Sequence, residues 1–210
     1  MKLYYSHRSP YVRLVMVVIH WGKLSQRIEL MNTVVNIEAP LPGLMADNPL
    51  TKVPTLLTDD GPALFDSRVI CEYLDSLHSE PRLFPPSGPA RWQALRWLAL
   101  GHGLTDLLLF WLIERNRPEA MRSVKVIEAN EAKYWATIKR IDAEVAALDA
   151  VPFGIGHVAI GNALSYSDFR FAGLDWRASH KALAAWHAGY AGRQAVAADP
   201  FFDDLAAAAR

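Results

Sequence analysis

Apolar positions change their rhythm near residue 80. Before it, proline and glycine break the chain into short pieces; beyond Ala90, long segments carry apolar residues at helical spacing with few breakers. The first piece, Lys2 to Ser6, is β-prone. Ser9-Pro10 follows, then an apolar segment from Tyr11 to Trp21 that Gly22 can terminate, so the opening predicts strand, turn and helix. Arg27 to Met31 reads as a second strand. Thr55-Leu56-Leu57-Thr58, the turn-rich Asp59-Asp60-Gly61-Pro62 and Ala63-Leu64-Phe65 read as a hairpin, and a helix from Arg68 to Leu77 completes the unit. The order βαβ, irregular stretch, ββα describes a small α/β domain in which a parallel unit and an antiparallel hairpin share one sheet.

Residues 79–89 hold four prolines and a glycine, a density that no helix or central strand tolerates. They are expected to link a domain at 1–78 to a second at 90–210. In the second, Trp92, Leu95, Leu98, Leu109 and Leu112 fall in one long apolar helical stretch, which Gly101 and Gly103 are placed to bend. Val124, Ile127, Tyr134, Ile138, Ile141, Val145 and Leu148 recur at spacings of three, four and seven, describing one buried helical face. An all-α bundle is the expectation. The alanine-rich Leu205-Ala206-Ala207-Ala208-Ala209-Arg210 reads as a helix end without a function of its own.

Composition narrows the classes. The 210 residues set 22 Lys+Arg against 22 Asp+Glu, a formal net charge of zero, so no nucleic-acid partner is expected. Apolar residues at 51% and aromatics at 10% supply a real core. The single cysteine, Cys71, excludes an intramolecular disulfide and any multi-cysteine metal site, and suits a reducing cytoplasm. The start, Met1 to Arg8, lacks the apolar stretch and cleavage site of a signal peptide. The longest unbroken apolar runs, Leu14 to Ile19 and Leu107 to Ile113, fall far short of the ~20 residues that cross a bilayer, so no membrane partner is expected. The histidines show no ligand spacing and no Gly-rich phosphate loop is present; neither metal nor nucleotide is expected.

The candidate chemistry sits at turns. Ser9, before Pro10, is either an ordinary helix cap or a hydroxyl that donates to an anion held at the positive helix end. Val53-Pro54 immediately precedes a strand. With a trans bond it is an edge-strand turn; with a cis bond it points the Val53 N–H and C=O outward, where an extended peptide-like ligand can pair with them. Asp66-Ser67 precedes a helix, where Ser67 can cap, exposed N–H groups can receive a carboxylate, and Asp66 can face an amine. Cys71 lies in an apolar helix and reads as a small core residue.

The order strand–Ser-Pro–helix, Asn-Pro-x-x-Lys-Val-Pro-x-Leu (Asn48 to Leu56), Phe-Asp-Ser-Arg-Val-Ile-x-x-Tyr-Leu (Phe65 to Leu74), proline-rich linker and helical domain resembles the cytosolic glutathione transferase family over essentially the whole chain. The resemblance implies a thioredoxin-like N-terminal domain carrying glutathione as co-substrate, an all-helical C-terminal domain supplying most of the second-substrate pocket, and a homodimer. It places Val53 on the cysteinyl backbone of glutathione, makes Pro54 the cis proline, gives Asp66 and Ser67 the γ-glutamyl end and lets Lys52 reach the glycyl carboxylate. Ser165 and Asp168 look like the family's N-capping box, flanked by Leu164 and Phe169.

Ser9 occupies the position where omega-like, glutaredoxin-like members carry cysteine. A serine cannot form a mixed disulfide and can only hydrogen-bond to the thiolate of glutathione, which favours conjugation to a small hydrophobic electrophile, a detoxification chemistry. Tyr5, at the end of the first strand, is the competing activator. Trp97, His102, Phe110 and Trp111, with Arg8 and Tyr11, are named as pocket candidates. A non-catalytic binding or assembly protein of the same fold, and a glutathione-dependent peroxidase or thiol-transfer enzyme, are the alternatives.

Overall fold

The computed structural model describes residues 1–36 and 38–203; the alanine-rich end read from the sequence lies outside the described residues. The described residues form two units, one comprising residues up to Arg82 together with 194–203, the other Leu83–Arg193.

The first unit is built on a three-stranded sheet of order β2-β1-β3, with β1 Lys2–Tyr5, β2 Glu29–Asn32 and β3 Thr55–Leu57. β1 runs parallel to β2 and antiparallel to β3, with Leu3 opposite Leu30 and Leu56. Strand alternation buries Leu3 and Tyr5 while Lys2 stays exposed. Helix α1, Pro10–Trp21, is buried at Val12 and throughout Leu14 to Ile19, which is why its sequence reads as an apolar run rather than a stripe. A short helix α2, Pro42–Asp47, occupies part of the stretch expected to be irregular, and α3, Ser67–Asp75, packs on α1.

The expected hairpin shrinks to a single bridge, Leu56 with Leu64, whose amides and carbonyls exchange both bonds (3.0 and 2.8 Å). The next pairs able to exchange bonds along that ladder are Thr58 with Pro62 and Pro54 with Asp66. Each contains a proline, which has no amide hydrogen to give, so pairing cannot propagate in either direction.

The second unit holds α4 Gly88–Arg115, α5 Val124–Asp149, α6 Ile155–Arg170, α7 Trp176–Ser179 and α8 Lys181–Ala191. The expected linker is packed. On the first unit's side the Pro81 carbonyl accepts from the Trp21 indole (2.9 Å); on the second's, Leu83 and Phe84 are buried and the Leu83 carbonyl accepts from the Ile155 amide (2.9 Å). The boundary therefore falls after Arg82. Residues from Gln194, expected in the helical domain, pack instead with the first unit: α9, Gln194–Ala197, contacts α1, and Arg13 donates to the carbonyls of Val196 and Asp199.

Helix α6 is buried without interruption from Ile155 to Leu164, and small residues let its neighbours approach. A Cβ on Gly101 of α4 would lie 2.4 Å from the Ala159 carbonyl carbon, and one on Gly161 would lie 2.4 Å from Cδ1 of the Tyr190 ring. Gly101 therefore serves close helix contact within an unbroken α4 rather than a bend. By length and composition α4 is the one described helix able to cross a bilayer, with 44% of its most apolar window buried in protein. On α5 the expected stripe is buried from Tyr134 to Leu148, whereas Val124 is 64% exposed. Trp92, in the first turns of α4, is 71% exposed.

Ser165 and Asp168 are corrected: they lie in the last turns of α6, not at its start. Ser165 Oγ donates to the Gly161 carbonyl (2.9 Å), and Asp168 accepts from the Trp176 indole and the Arg177 guanidinium, tying α6 to α7. Arg177 donates to His187 Nδ1, so His187 Nε2 carries the proton facing Ser165. The start of α6 is closed by His157, whose Nδ1 accepts from the Gly154 amide (3.1 Å). Burial pushes the His157 pKa below its usual 6.5. Nearby, the Glu144 carboxylate accepts from the Trp97 indole (2.9 Å) and pairs with Arg96, whose hydrogen bond holds the carboxyl below its ordinary range.

Two measurements check this packing. Gly101→Ala gains about 1 kcal/mol of helix propensity but overpacks a backbone contact at a cost of about 3 kcal/mol. Gly103→Ala, whose Cβ meets nothing within 4 Å, gains only. Urea unfolding should show the first less stable than the native chain and the second more stable. His157 must stay neutral to accept the Gly154 bond, and its folded pKa is depressed. Its contribution is therefore complete above the unfolded value near 6.5 and is lost as pH falls below it. His157→Gln, which keeps an acceptor without a titration, should flatten the difference between unfolding midpoints at pH 7.5 and about pH 5.5.

Candidate functional site

Strand direction gathers the candidate residues at one end of the sheet. β1 ends there with Tyr5 and leads to Ser9. Antiparallel β3 starts there, because Thr55 lies opposite Tyr4, and it is preceded by Lys52-Val53-Pro54. From the Leu56–Leu64 bridge the chain returns toward the same end, where α3 begins. Both α1 and α3 therefore begin at this end and aim the positive ends of their dipoles at it, an arrangement that favours anions.

Ser9 caps α1 with extended backbone (φ −80°, ψ 120°), its Oγ accepting from the Val12 amide at 3.3 Å, and Pro10 follows at the first helical position. A hydroxyl that accepts one bond keeps its own proton to donate. No acceptor for that proton is found among the described residues. Tyr5 differs. Its ring is 3% exposed and its hydroxyl lies 2.8 Å from Asp199 Oδ1 and 2.6 Å from His7 Nδ1. A carboxylate only accepts, so the Tyr5 proton goes to Asp199 and His7 Nδ1–H donates to the phenol oxygen.

The Val53–Pro54 peptide is cis. Val53 is buried at 7% exposure, yet its amide and carbonyl form no hydrogen bond with any described residue. Asn48, 1% exposed, braces this turn: its side-chain amide donates to Thr55 Oγ1 (2.8 Å) and the Lys52 carbonyl (3.3 Å) and accepts from the Leu50 amide (3.0 Å). Thr55 Oγ1 in turn donates to the Lys52 carbonyl (2.8 Å). Thr51 completes the turn at φ +48°, a left-handed conformation uncommon for a β-branched residue. The Lys52 side chain is exposed and forms no ion pair with a described residue.

At α3 the cap is Asp66 rather than Ser67. Asp66 Oδ1 accepts from the Arg68 amide (3.0 Å), and its other oxygen pairs with the Arg68 guanidinium (2.9 Å). Ser67 is the first helical residue, fully buried, with a hydroxyl that has no partner among the described residues. A buried hydroxyl without a partner is costly and points to a ligand or water. The Cys71 thiol is fully buried, and burial, then the Asp66 and Asp75 carboxylates, push its pKa well up. It stays protonated and inert.

Reading residues in isolation missed Asn48 and Thr55 as supports of the turn, although Asn48 opens the Asn-Pro motif. It also missed Arg13 and Asp199, for which no local signal exists. Of the named pocket candidates, Trp97 and Trp111 are buried, the latter against Phe171 and Tyr134, while Phe110 is 68% exposed. His102 pairs with Asp106 (3.5 Å), and Arg8 donates to the Val35 carbonyl. A groove of about 480 Å³ in the helical unit is lined by Val145, Phe153, His157, Trp186, Tyr190 and Arg193, among others, and by none of the named candidates.

Asn48→Ala removes the brace and leaves Thr55 and the Lys52 carbonyl short of a partner. It should lower stability by about 1–3 kcal/mol, read as a shift in the urea midpoint.

Comparison with known proteins adds the following. A family model described as the N-terminal domain of glutathione S-transferase matches residues 3–82. A crystal structure of a glutathione transferase family member from Pseudomonas fluorescens Pf-5, with bound glutathione, is 34% identical. It superposes with a TM-score of 0.92 over 96% of this chain and 99% of that one. An uncharacterized GST-like protein of Escherichia coli K12, YibF, is 27% identical over 84% of this chain and 86% of its own. A stringent starvation protein A homolog of Coxiella burnetii is 33% identical over 69% of this chain and 63% of its own.

Proposed function

Since the chain belongs to the glutathione transferase family, we propose that it binds glutathione across the end of the sheet and activates its thiolate, through Ser9, for attack on a small hydrophobic electrophile. The observation that carries this reading is the contrast between the two hydroxyls: the proton of Ser9 is available at the start of α1, whereas that of Tyr5 is committed to Asp199.

The tripeptide lies extended along Val53, pairing with the amide and carbonyl that no described residue uses. Its γ-glutamyl carboxylate meets the first amides of α3 and the Ser67 hydroxyl, Asp66 faces its amine, and Lys52 reaches the glycyl carboxylate. The sulfur then sits beside Ser9, where the hydroxyl and the helix end stabilise the anion over the thiol. A free thiol has a pKa near ~8.5, and lowering it by ~2 corresponds to about 2.7 kcal/mol. In the transfer the sulfur lone pair forms the bond to an electrophilic carbon while that carbon's leaving group departs with its bonding pair or, in an unsaturated acceptor, the π pair shifts to the far atom of the acceptor and is protonated by water. The helical unit supplies the acceptor pocket. A cytoplasmic detoxification role and a homodimer are part of the same reading; Met45, Leu50 and Val69, 45%, 60% and 48% exposed, give the first unit apolar area for a second copy to cover.

Thiol transfer is disfavoured, because Ser9 cannot form a mixed disulfide and Cys71 is buried and protonated. A non-catalytic binding or assembly role is the competing reading. Retention on immobilised glutathione followed by turnover of an activated aryl halide separates the two: binding without conjugation of any of several electrophiles supports assembly, and failure to bind removes the site. Ser9→Ala should leave the glutathione Kd within about twofold and cost about 1 kcal/mol of stability through the lost cap. It should raise the pKa of the bound thiol by about 1 to 2, read by ultraviolet thiolate absorbance, and lower kcat/KM at neutral pH about tenfold or more. An unchanged pKa would show that Ser9 is a cap and nothing else.

A further inference from the structure

The turn that carries Ser9 is held on both sides by one residue near the other end of the chain. Before the turn, Asp199 Oδ1 accepts from the Tyr5 hydroxyl (2.8 Å) and lies 3.8 Å from His7 Nδ1, which itself meets the Tyr5 oxygen at 2.6 Å. After the turn, Arg13 stands one helical turn beyond Ser9, its amide bonded to the Ser9 carbonyl (3.0 Å). Its guanidinium donates to the backbone carbonyl of the same Asp199 (2.9 Å) and to that of Val196 (3.2 Å). Between these anchors the chain makes only a short turn, closed by the Ser9 amide on the Ser6 carbonyl (3.1 Å). Tyr5, Arg13 and Asp199 are 3%, 6% and 9% exposed, so these are desolvated, charge-assisted bonds rather than surface pairs. Rings complete the enclosure: His7 stands edge-on between Tyr5 (4.7 Å) and Phe202 (6.0 Å), and Arg13 lies over Phe201 at 4.8 Å.

We propose that Asp199 is a positioning residue for Ser9, clamping the Tyr5-to-Arg13 segment in the geometry that presents the Ser9 hydroxyl to a bound thiolate. The inference rests on the reading of Ser9 as thiol activator and adds to it a part for the last segment of the chain. A hydroxyl stabilises an anion only where its proton points at the sulfur, and a fraction-of-an-ångström drift of the turn is enough to lose that alignment. The sign of the effect separates positioning from a direct charge effect. A carboxylate acting through space opposes a nearby thiolate, so its removal lowers the thiol pKa; a carboxylate acting through the turn does the reverse, so its removal raises the pKa.

The test is the pKa of enzyme-bound glutathione, by ultraviolet titration and by the pH profile of kcat/KM, in Asp199→Ala, Asp199→Asn, Ser9→Ala and the Ser9→Ala/Asp199→Ala double variant. Asp199→Ala should raise the pKa and lower kcat/KM at neutral pH about tenfold, with recovery at higher pH and less than threefold change in the glutathione Kd. Asp199→Asn keeps an acceptor of the same shape for Tyr5 and should retain the native pKa. The double variant should match Ser9→Ala alone, because the clamp works only through that hydroxyl. Where Asp199→Ala does not fold, Asp199→Glu displaces the acceptor by one methylene while keeping the charge and should also raise the pKa. A lowered or unchanged pKa in the Ala or Glu variant, or full additivity in the double variant, overturns the proposal. A shift in Ser9→Ala with none in Asp199→Ala removes only the clamp; no shift in Ser9→Ala removes the activation reading and the clamp with it.

Discussion

Backbone pairing around β1 decides where this protein can hold a ligand. β1 accepts β2 in parallel on one side and β3 antiparallel on the other, so one end of the sheet collects the exit of β1, the entry of β3 and the return from Leu64. Two prolines, Pro54 and Pro62, restrict the last ladder to a single pair, and the freed backbone turns away into α3 instead of extending a strand. The result is two helix starts and, at Val53, an amide and carbonyl that no described residue uses, all at the same edge. Two helix starts at one edge favour anions there.

The polar groups at this edge divide into those whose hydrogen bonds are complete and those with capacity to spare. Asn48, Thr55 and the Asp66–Arg68 pair are engaged and give the turns their shape. Ser9, Val53 and Ser67 retain donors or acceptors that the described chain does not use. A protein meeting only folding requirements has no reason to keep buried polar capacity unspent. Tyr5 belongs to the first group, and its partner lies almost the whole chain length away.

In the helical unit the governing constraint is steric. α6 is enclosed because Gly101, Gly156 and Gly161 leave no room for a Cβ between it and its neighbours. Its polar residues then answer to that enclosure: Ser167 meets the Tyr134 hydroxyl (2.8 Å), and burial drives the Tyr134 pKa up to about 12. Asp168 is spent on Trp176 and Arg177 rather than on a cap. A Ser-x-x-Asp match marks either end of a helix equally well when the apolar run before it is itself helical.

From the sequence alone, local rules settled the strand–turn–helix opening, the cap at Ser9, the proline turn at Val53-Pro54, the helix start after Phe65 and the helical second half. Each depends on neighbours in the chain: proline geometry, capping hydroxyls and apolar spacing. Tertiary structure decided what depends on distant partners. The hairpin collapsed to one bridge through the placement of two prolines across a ladder, and Gly101 served contact rather than bending because Ala159 stood against it. Val124 and Trp92 lie exposed in the first turns of their helices. The last segment joined the first unit because Asp199 satisfies Tyr5 and Arg13. Hydrogen bonds spanning most of the chain leave no periodicity and no motif behind, so nothing short of the folded coordinates could assign the hydroxyl of Tyr5 to a carboxylate and leave that of Ser9 available.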